Sequence, residues 1–124
     1  MLNKEVIERY SEQTYQYASD WLGSPVAKIH RAKICGLLNG ILLARLRCVG
    51  MEGKMVTYHG PEVDHHDFIE LEEEWTIDSN WQQFLNKPGE KLPKVLICKK
   101  STLPDVLSEF GIPQSKHRIW LTAT

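Results

Sequence analysis

Cysteine is scarce in this 124-residue chain, and a net charge, an apolar leader and a long hydrophobic run are missing. The three cysteines, Cys35, Cys48 and Cys98, are an odd number at no metal-ligand spacing. That fits free thiols in a reducing compartment. A formal net charge of -1 gives no basis for a nucleic-acid partner. The opening MLNKEVIERY carries neither an apolar core nor a cleavage pattern, so no secretory signal is expected. Nothing approaches the ~18 consecutive apolar residues of a membrane span, so no membrane partner is expected. The expected location is cytoplasmic, or outside the cell by a route that reads no N-terminal signal. There is no repeat or low-complexity tract, and residues 1–124 are expected to form one domain. Hydrophobic residues at 42% and charged residues at 25% are ordinary for a globular chain, so composition singles out no function.

What is present is a change of hydrophobic period partway along. Val6, Ile7, Tyr10, Tyr17 and Trp21 recur at helical spacing, which predicts a helix over 3–21 stopped by Gly23. Ser24-Pro25 is a helix restart, with serine as cap and proline at the first position. From there Ile29, Ile34, Leu37, Leu38, Ile41, Leu42, Leu46 and Val49 keep a helical period to Gly50. As one element this is about twice the mean helix of ~11–12 residues, and a break near Arg31–Lys33 would divide it. Beyond Gly50 the period turns to strands. They are expected at 55–58, in a hairpin from His66 to Asp78, and at Val95–Cys98, with a last edge strand at His117–Leu121. Trp81–Phe84 reads as a turn or short helix, and 101–110 as a helix closed by Gly111 and Pro113. The fold class is α+β, with N-terminal helices packed on a small antiparallel β-sheet.

The hairpin carries the chemistry. His66, Phe68 and Glu70 share one face of its first strand, and Ile69 and Leu71 share the other. Trp75 and Ile77 alternate with Thr76 and Asp78 on the return. A three-residue turn at Glu72–Glu74 pairs Phe68 with Asp78 and His66 with Asn80. A turn centred one residue earlier sets His66 directly opposite Asp78. Either way His66 and Asp78 lie on one face, and a carboxylate beside an imidazole orients a general base. Such a pair needs a nucleophile, and Cys35 is the upstream candidate. In the first turn of a helix its thiolate would be stabilised by free backbone N–H groups and the positive dipole end.

Each of these residues also has a plainer reading. Cys35 in a helix interior would be a small buried hydrophobe, Cys48 core or boundary filler, and Cys98 packing. His59, His65 and His66 with Asp64, Asp67 and Glu70 are metal-ligand types. Neighbours on a strand point apart, however, so His65 and His66 do not easily share one ion, and no metal or other cofactor is expected. His65, Asp64 and Asp67 read as solvated, and His30 and His117 as structural or surface. Glu72-Glu73-Glu74 reads as an exposed tip, far from the usual Asn-Gly turn. Trp75, Trp81 and Phe84 read as core anchors.

The order Cys35, then His66-Asp67-Phe68-Ile69-Glu70-Leu71, then Trp75-Thr76-Ile77-Asp78-Ser79-Asn80 resembles the transglutaminase-like cysteine superfamily of papain-like fold. Ile77 to Phe84 is similar to a segment of bacterial toxin and effector domains that deamidate glutamine, and Cys35-Gly36-Leu37-Leu38-Asn39 to the helix that opens with their nucleophile. The resemblance covers roughly 33–86. It implies a Cys35-His66-Asp78 triad acting on an amide through a thioester, with the Cys35 N–H as one oxyanion donor. Cys35 would be the nucleophile, His66 base and then acid, and Asp78 the orienter. No glutamine or asparagine just upstream of Cys35 supplies the family's usual second donor; Gln13 and Gln16 are remote. Ser79 stands where many relatives have proline, and the chain is short for a full substrate groove.

The expected activity is therefore a cysteine amide hydrolase or acyl transferase: a glutamine deamidase, protease or transglutaminase acting on a protein or peptide. An inactive binding module on the same fold is the alternative, and a metal hydrolase using His59 and His66 a third. A homodimer through an exposed edge, at Met55–Tyr58 or the C-terminal strand, is a further expectation.

Overall fold

The first helix, α1 (Lys4–Leu22), buries a different stripe from the one its aromatics mark. Tyr17 and Trp21 are 68% and 72% exposed, while Ile7, Ser11, Thr14 and Tyr15 are buried. The small side chains explain the difference. Ser11 and Thr14 let the second helix come close, and Thr14 donates to the Tyr10 carbonyl (2.8 Å) while accepting from Arg45 Nη1 (2.7 Å). The computed structural model describes residues 4–23, 32–63, 65–85 and 91–121, without the side chains of 22 and 32–35. The expected restart at Ser24-Pro25 and His30 therefore lie outside the described residues.

The second helix, α2 (Ala32–Cys48), buries Leu38, Leu42, Leu43 and Leu46 and leaves Leu37 and Ile41 exposed. Cys48, expected as filler, is exposed. It lies two residues beyond Leu46, which turns it about 200° from the buried stripe. Gly50 closes the helix at φ 87, and the Met51 N–H returns to the Leu46 carbonyl (3.2 Å).

Four antiparallel strands follow in the order β1-β2-β3-β4. They are β1 (Gly53–Tyr58), β2 (His66–Leu71), β3 (Trp75–Asp78) and β4 (Leu96–Lys99). Leu71 pairs with Trp75 and Ile69 with Ile77, which selects the three-residue turn at Glu72–Glu74. Glu72 and Glu73 both take left-handed backbone, at φ 54 and 56, although neither is glycine or asparagine. Two short elements come last, α3 (Leu103–Glu109) and α4 (Arg118–Leu121). The edge strand expected at 117–121 is helical, because Ile119 and Trp120 are both buried. Consecutive residues of a strand would point to opposite faces, whereas one helical turn can bury both. Of the two edges expected for pairing with a second copy, β1 is an edge strand and the C-terminal segment is not a strand.

The sheet is covered on both sides. One face carries Ile69, Leu71, Trp75 and Ile77 against α1 and α2. The other carries Val56, Phe68, Leu96 and Cys98 against Trp81, Phe84, α3 and α4. This is an α+β fold with N-terminal helices on a small antiparallel sheet. Trp75, Trp81 and Phe84 are core residues, as expected, and Cys98 is buried packing whose thiol burial pushes up to about 11. Every residue of β2 is buried, so its polar side chains need partners inside the protein. Among the described residues no helix is long and apolar enough to cross a membrane.

Candidate active site

Alternation along β2 sends His66 and Asp67 to opposite faces, and each meets a different partner. His66 turns toward the C-terminal half and packs edge-on against Phe84 and Trp120, with ring centroids 4.8 and 6.1 Å away. Its Nε2 lies 2.5 Å from Asp78 Oδ2, and both side chains are 0% exposed. The carboxylate is held from three directions. Oδ2 also accepts from Trp120 Nε1 (2.8 Å), and Oδ1 accepts from the Asn80 backbone N–H (2.9 Å). Three donors around a buried carboxylate fix its plane and leave Nε2 as the protonated nitrogen of a neutral imidazole. The lone pair is then on Nδ1, where the Gln83 Nε2 stands 3.0 Å away.

Two features of the hairpin make this geometry. His66 and Asp78 are diagonal neighbours, since the observed register aligns Phe68 with Asp78 by extension of the Ile69–Ile77 pair. The paired ladder stops at Ile69–Ile77, and two positions further on the strands are bridged by a side chain from α2. Asn39, fully buried, donates from Nδ2 to the Asp67 carbonyl (2.9 Å) and accepts at Oδ1 from the Ser79 N–H (3.1 Å). Its carboxamide thus serves both strand backbones where they part.

The same contacts place the chain around Cys35. The backbone of Cys35 is helical, within α2 (Ala32–Cys48), and the side chain of Cys35 lies outside the described residues. The next residue, Gly36, comes so close to β2 that a Cβ there would stand 2.8 Å from Asp67 Oδ2. The segment bearing Cys35 therefore runs against β2 on its Asp67 face, one residue along the strand from His66, and glycine permits the approach.

Asp67 differs from the expectation of a solvated side chain. It is buried, and its carboxylate accepts from Thr57 Oγ1 (2.5 Å) and pairs with His65 Nε2 (2.9 Å). α2 packs on this face of β2, with Gly36 against the Asp67 carboxylate, which is why a polar residue there is enclosed. The His65 side chain keeps 42% exposure and stacks edge-on with His59 at 5.2 Å. Asp64 lies outside the described residues. Among the described residues no three His, Cys, Asp or Glu side chains are grouped to hold a metal ion.

Glu70, on the His66 face, is buried between two lysines, with Lys100 Nζ at 2.7 Å and Lys54 Nζ at 3.5 Å. The Lys100 ammonium, with help from Lys54, holds its carboxyl below the usual carboxylate range despite burial. This pair ties β1, β2 and the end of β4 together.

Sequence reasoning reached His66 and Asp78 but missed Asn39, Gln83 and Trp120. An asparagine on the buried side of a leucine-rich helix was a readable signal for Asn39. Trp120 and Gln83 gave none, because both arrive from chain segments whose placement depends on the complete fold. No family model matches this chain, and no curated protein or solved structure matches it either.

Proposed function

We propose that this protein is a cysteine-dependent amide hydrolase or acyl transferase, with Cys35 as nucleophile, His66 as base and then acid, and Asp78 as the group that orients the imidazole. The observation that carries the reading is the buried His66–Asp78 pair at 2.5 Å, on the strand whose next residue, Asp67, is met by Gly36 beside Cys35. An imidazole with Nε2 pinned by a carboxylate presents Nδ1 as a base of fixed direction. The Cys35 thiol gives its proton to Nδ1, and the thiolate attacks the amide carbonyl carbon. The resulting oxyanion meets N–H groups of the helix opening. Collapse expels the amine, which takes the proton back from Nδ1 and leaves a thioester. Water, deprotonated by His66, then releases a carboxylic acid; an amine in its place completes a transfer. The order of residues agrees with the resemblance to transglutaminase-like cysteine amidases, whose substrates would be proteins or peptides.

The test is ammonia release from a glutamine-containing protein by the parent, Cys35→Ala and His66→Ala. Loss of release in both variants, by about 10³-fold or more, is expected of residues that act as a unit. Activity that survives either change overturns the assignment.

Complete burial of His66 favours a second reading, the same fold used as a binding module without turnover. In that case Cys35 is alkylated no faster than an ordinary thiol, and His66→Ala leaves the rate unchanged.

A further inference from the structure

We infer that Gln83 is a positioning residue that keeps the proposed base in reserve: its side-chain N–H occupies the Nδ1 lone pair of His66, and the base accepts a thiol proton only after that amide turns away. The inference rests on His66 being the base. It starts from the 3.0 Å contact between Gln83 Nε2 and His66 Nδ1. Because Nε2 is committed to Asp78, which Trp120 and Asn80 hold in turn, the ring cannot offer its other nitrogen instead. A proton on Nδ1 would set two N–H donors against each other, so the amide contact and the protonated ring exclude one another. When the Cys35 S–H proton moves to Nδ1, the Gln83 hydrogen bond must break and its amide must find water or substrate.

The local structure confines this movement to one side chain. Gln83 belongs to the short 3-10 turn Trp81–Phe84, which is anchored on both sides of it. Trp81 Nε1 and Gln82 Nε2 both donate to the Pro93 carbonyl, at 3.0 and 2.8 Å, and the Leu85 N–H returns to the Gln82 carbonyl. Trp81, Gln82 and Phe84 are buried, whereas Gln83 is half-buried and has room to change rotamer.

Several charged or titratable groups surround the imidazole. Asp78 faces it from β3, and Asp67 with His65 lies across β2 beside α2. From β1 comes Tyr58, the cross-strand partner of His66. Its hydroxyl donates to Glu62, itself paired with Arg118. None of these donates to Nδ1 in the way Gln83 does, and Gln83 is uncharged. Its removal therefore alters the proton affinity of the site without adding or deleting a charge.

The experiment uses the full chain with Cys48→Ser, since Cys48 is exposed and would otherwise label. Iodoacetamide modification of Cys35 is followed by peptide mass spectrometry from about pH 5 to 9, which spans the ordinary thiol range. Gln83→Met, which keeps the volume, and Gln83→Ala should both label about tenfold faster than the parent near pH 6, as a downward shift of about one pH unit requires. Adding His66→Ala should abolish that gain. Labelling that is unchanged or slower in Gln83→Met, while His66→Ala slows the parent, overturns the reserve role and leaves the base assignment standing. If His66→Ala changes nothing in any background, the base assignment falls, and the role of Gln83 falls with it.

Discussion

His65 and His66 are consecutive residues, each bonded to an aspartate, and they sit in opposite environments. His66–Asp78 is sealed between the sheet and the C-terminal helices, with every polar atom of the carboxylate engaged. His65–Asp67 lies on the α1–α2 side, where the imidazole keeps 42% exposure and Thr57 is an exposed neighbour. The two contact distances, 2.5 and 2.9 Å, are a poor guide to what each contributes. What differs is the fate of the partner groups when the carboxylate is removed. Around Asp67 they can turn to water; around Asp78 they cannot.

That contrast gives the largest expected effect. Asp78→Ala strands the His66 and Trp120 N–H groups in the core and should cost about 2–6 kcal/mol of unfolding free energy, at about 1–3 kcal/mol for each stranded donor. Asp67→Ala, whose partners reach solvent, should cost about 1 kcal/mol. Urea denaturation of both variants measures the difference, and equal losses would show that burial does not separate the two pairs.

A third buried carboxylate sharpens the comparison through pH. Glu70 is held below its ordinary 4.5 chiefly by the hydrogen bond from Lys100. A carboxyl with a depressed folded pKa contributes stability that is complete above its unfolded value and is lost as pH falls through the folded one. The parent should therefore lose stability more steeply below about pH 4.5 than Glu70→Gln does. At neutral pH the variant should be weaker by about 1–3 kcal/mol, the value of a charge-assisted hydrogen bond. Parallel acid titrations of the two would show the same slope if the lysines contribute nothing.

The smallest effect concerns the hairpin tip, which is exposed where the two pairs are enclosed or half-enclosed. Glu73 adopts left-handed backbone that costs an ordinary L-residue about 1–2 kcal/mol, so Glu73→Gly should stabilise by about 0.5–1 kcal/mol. Thermal unfolding measures the gain. A loss instead would mean that the Glu73 side chain contributes more than its backbone strain costs.

The pairing of His66 with Asp78 was legible in the residue pattern alone. Strand alternation placed His66 and Asp78 on one face for either turn length, and the structure joins them by a hydrogen bond. The turn itself was not legible, because Glu-Glu-Glu lacks the residues that announce left-handed backbone; packing on both faces selects the register. Tyr17 and Trp21 misled for a related reason. Hydrophobicity marks which side chains prefer burial, whereas close helix approach depends on small ones such as Ser11 and Thr14.

Local chemistry, then, was enough to define the first three helices, all four strands and the shared face of an imidazole and an acid, since these follow from backbone periods of two and 3.6 residues. The three-dimensional fold had to supply Asn39 between the parting strands, Trp120 on Asp78 and Gln83 on Nδ1, and it turned the last segment into a helix. Those contacts join residues 17 to 42 positions apart in the chain, a range at which no repeating pattern carries information.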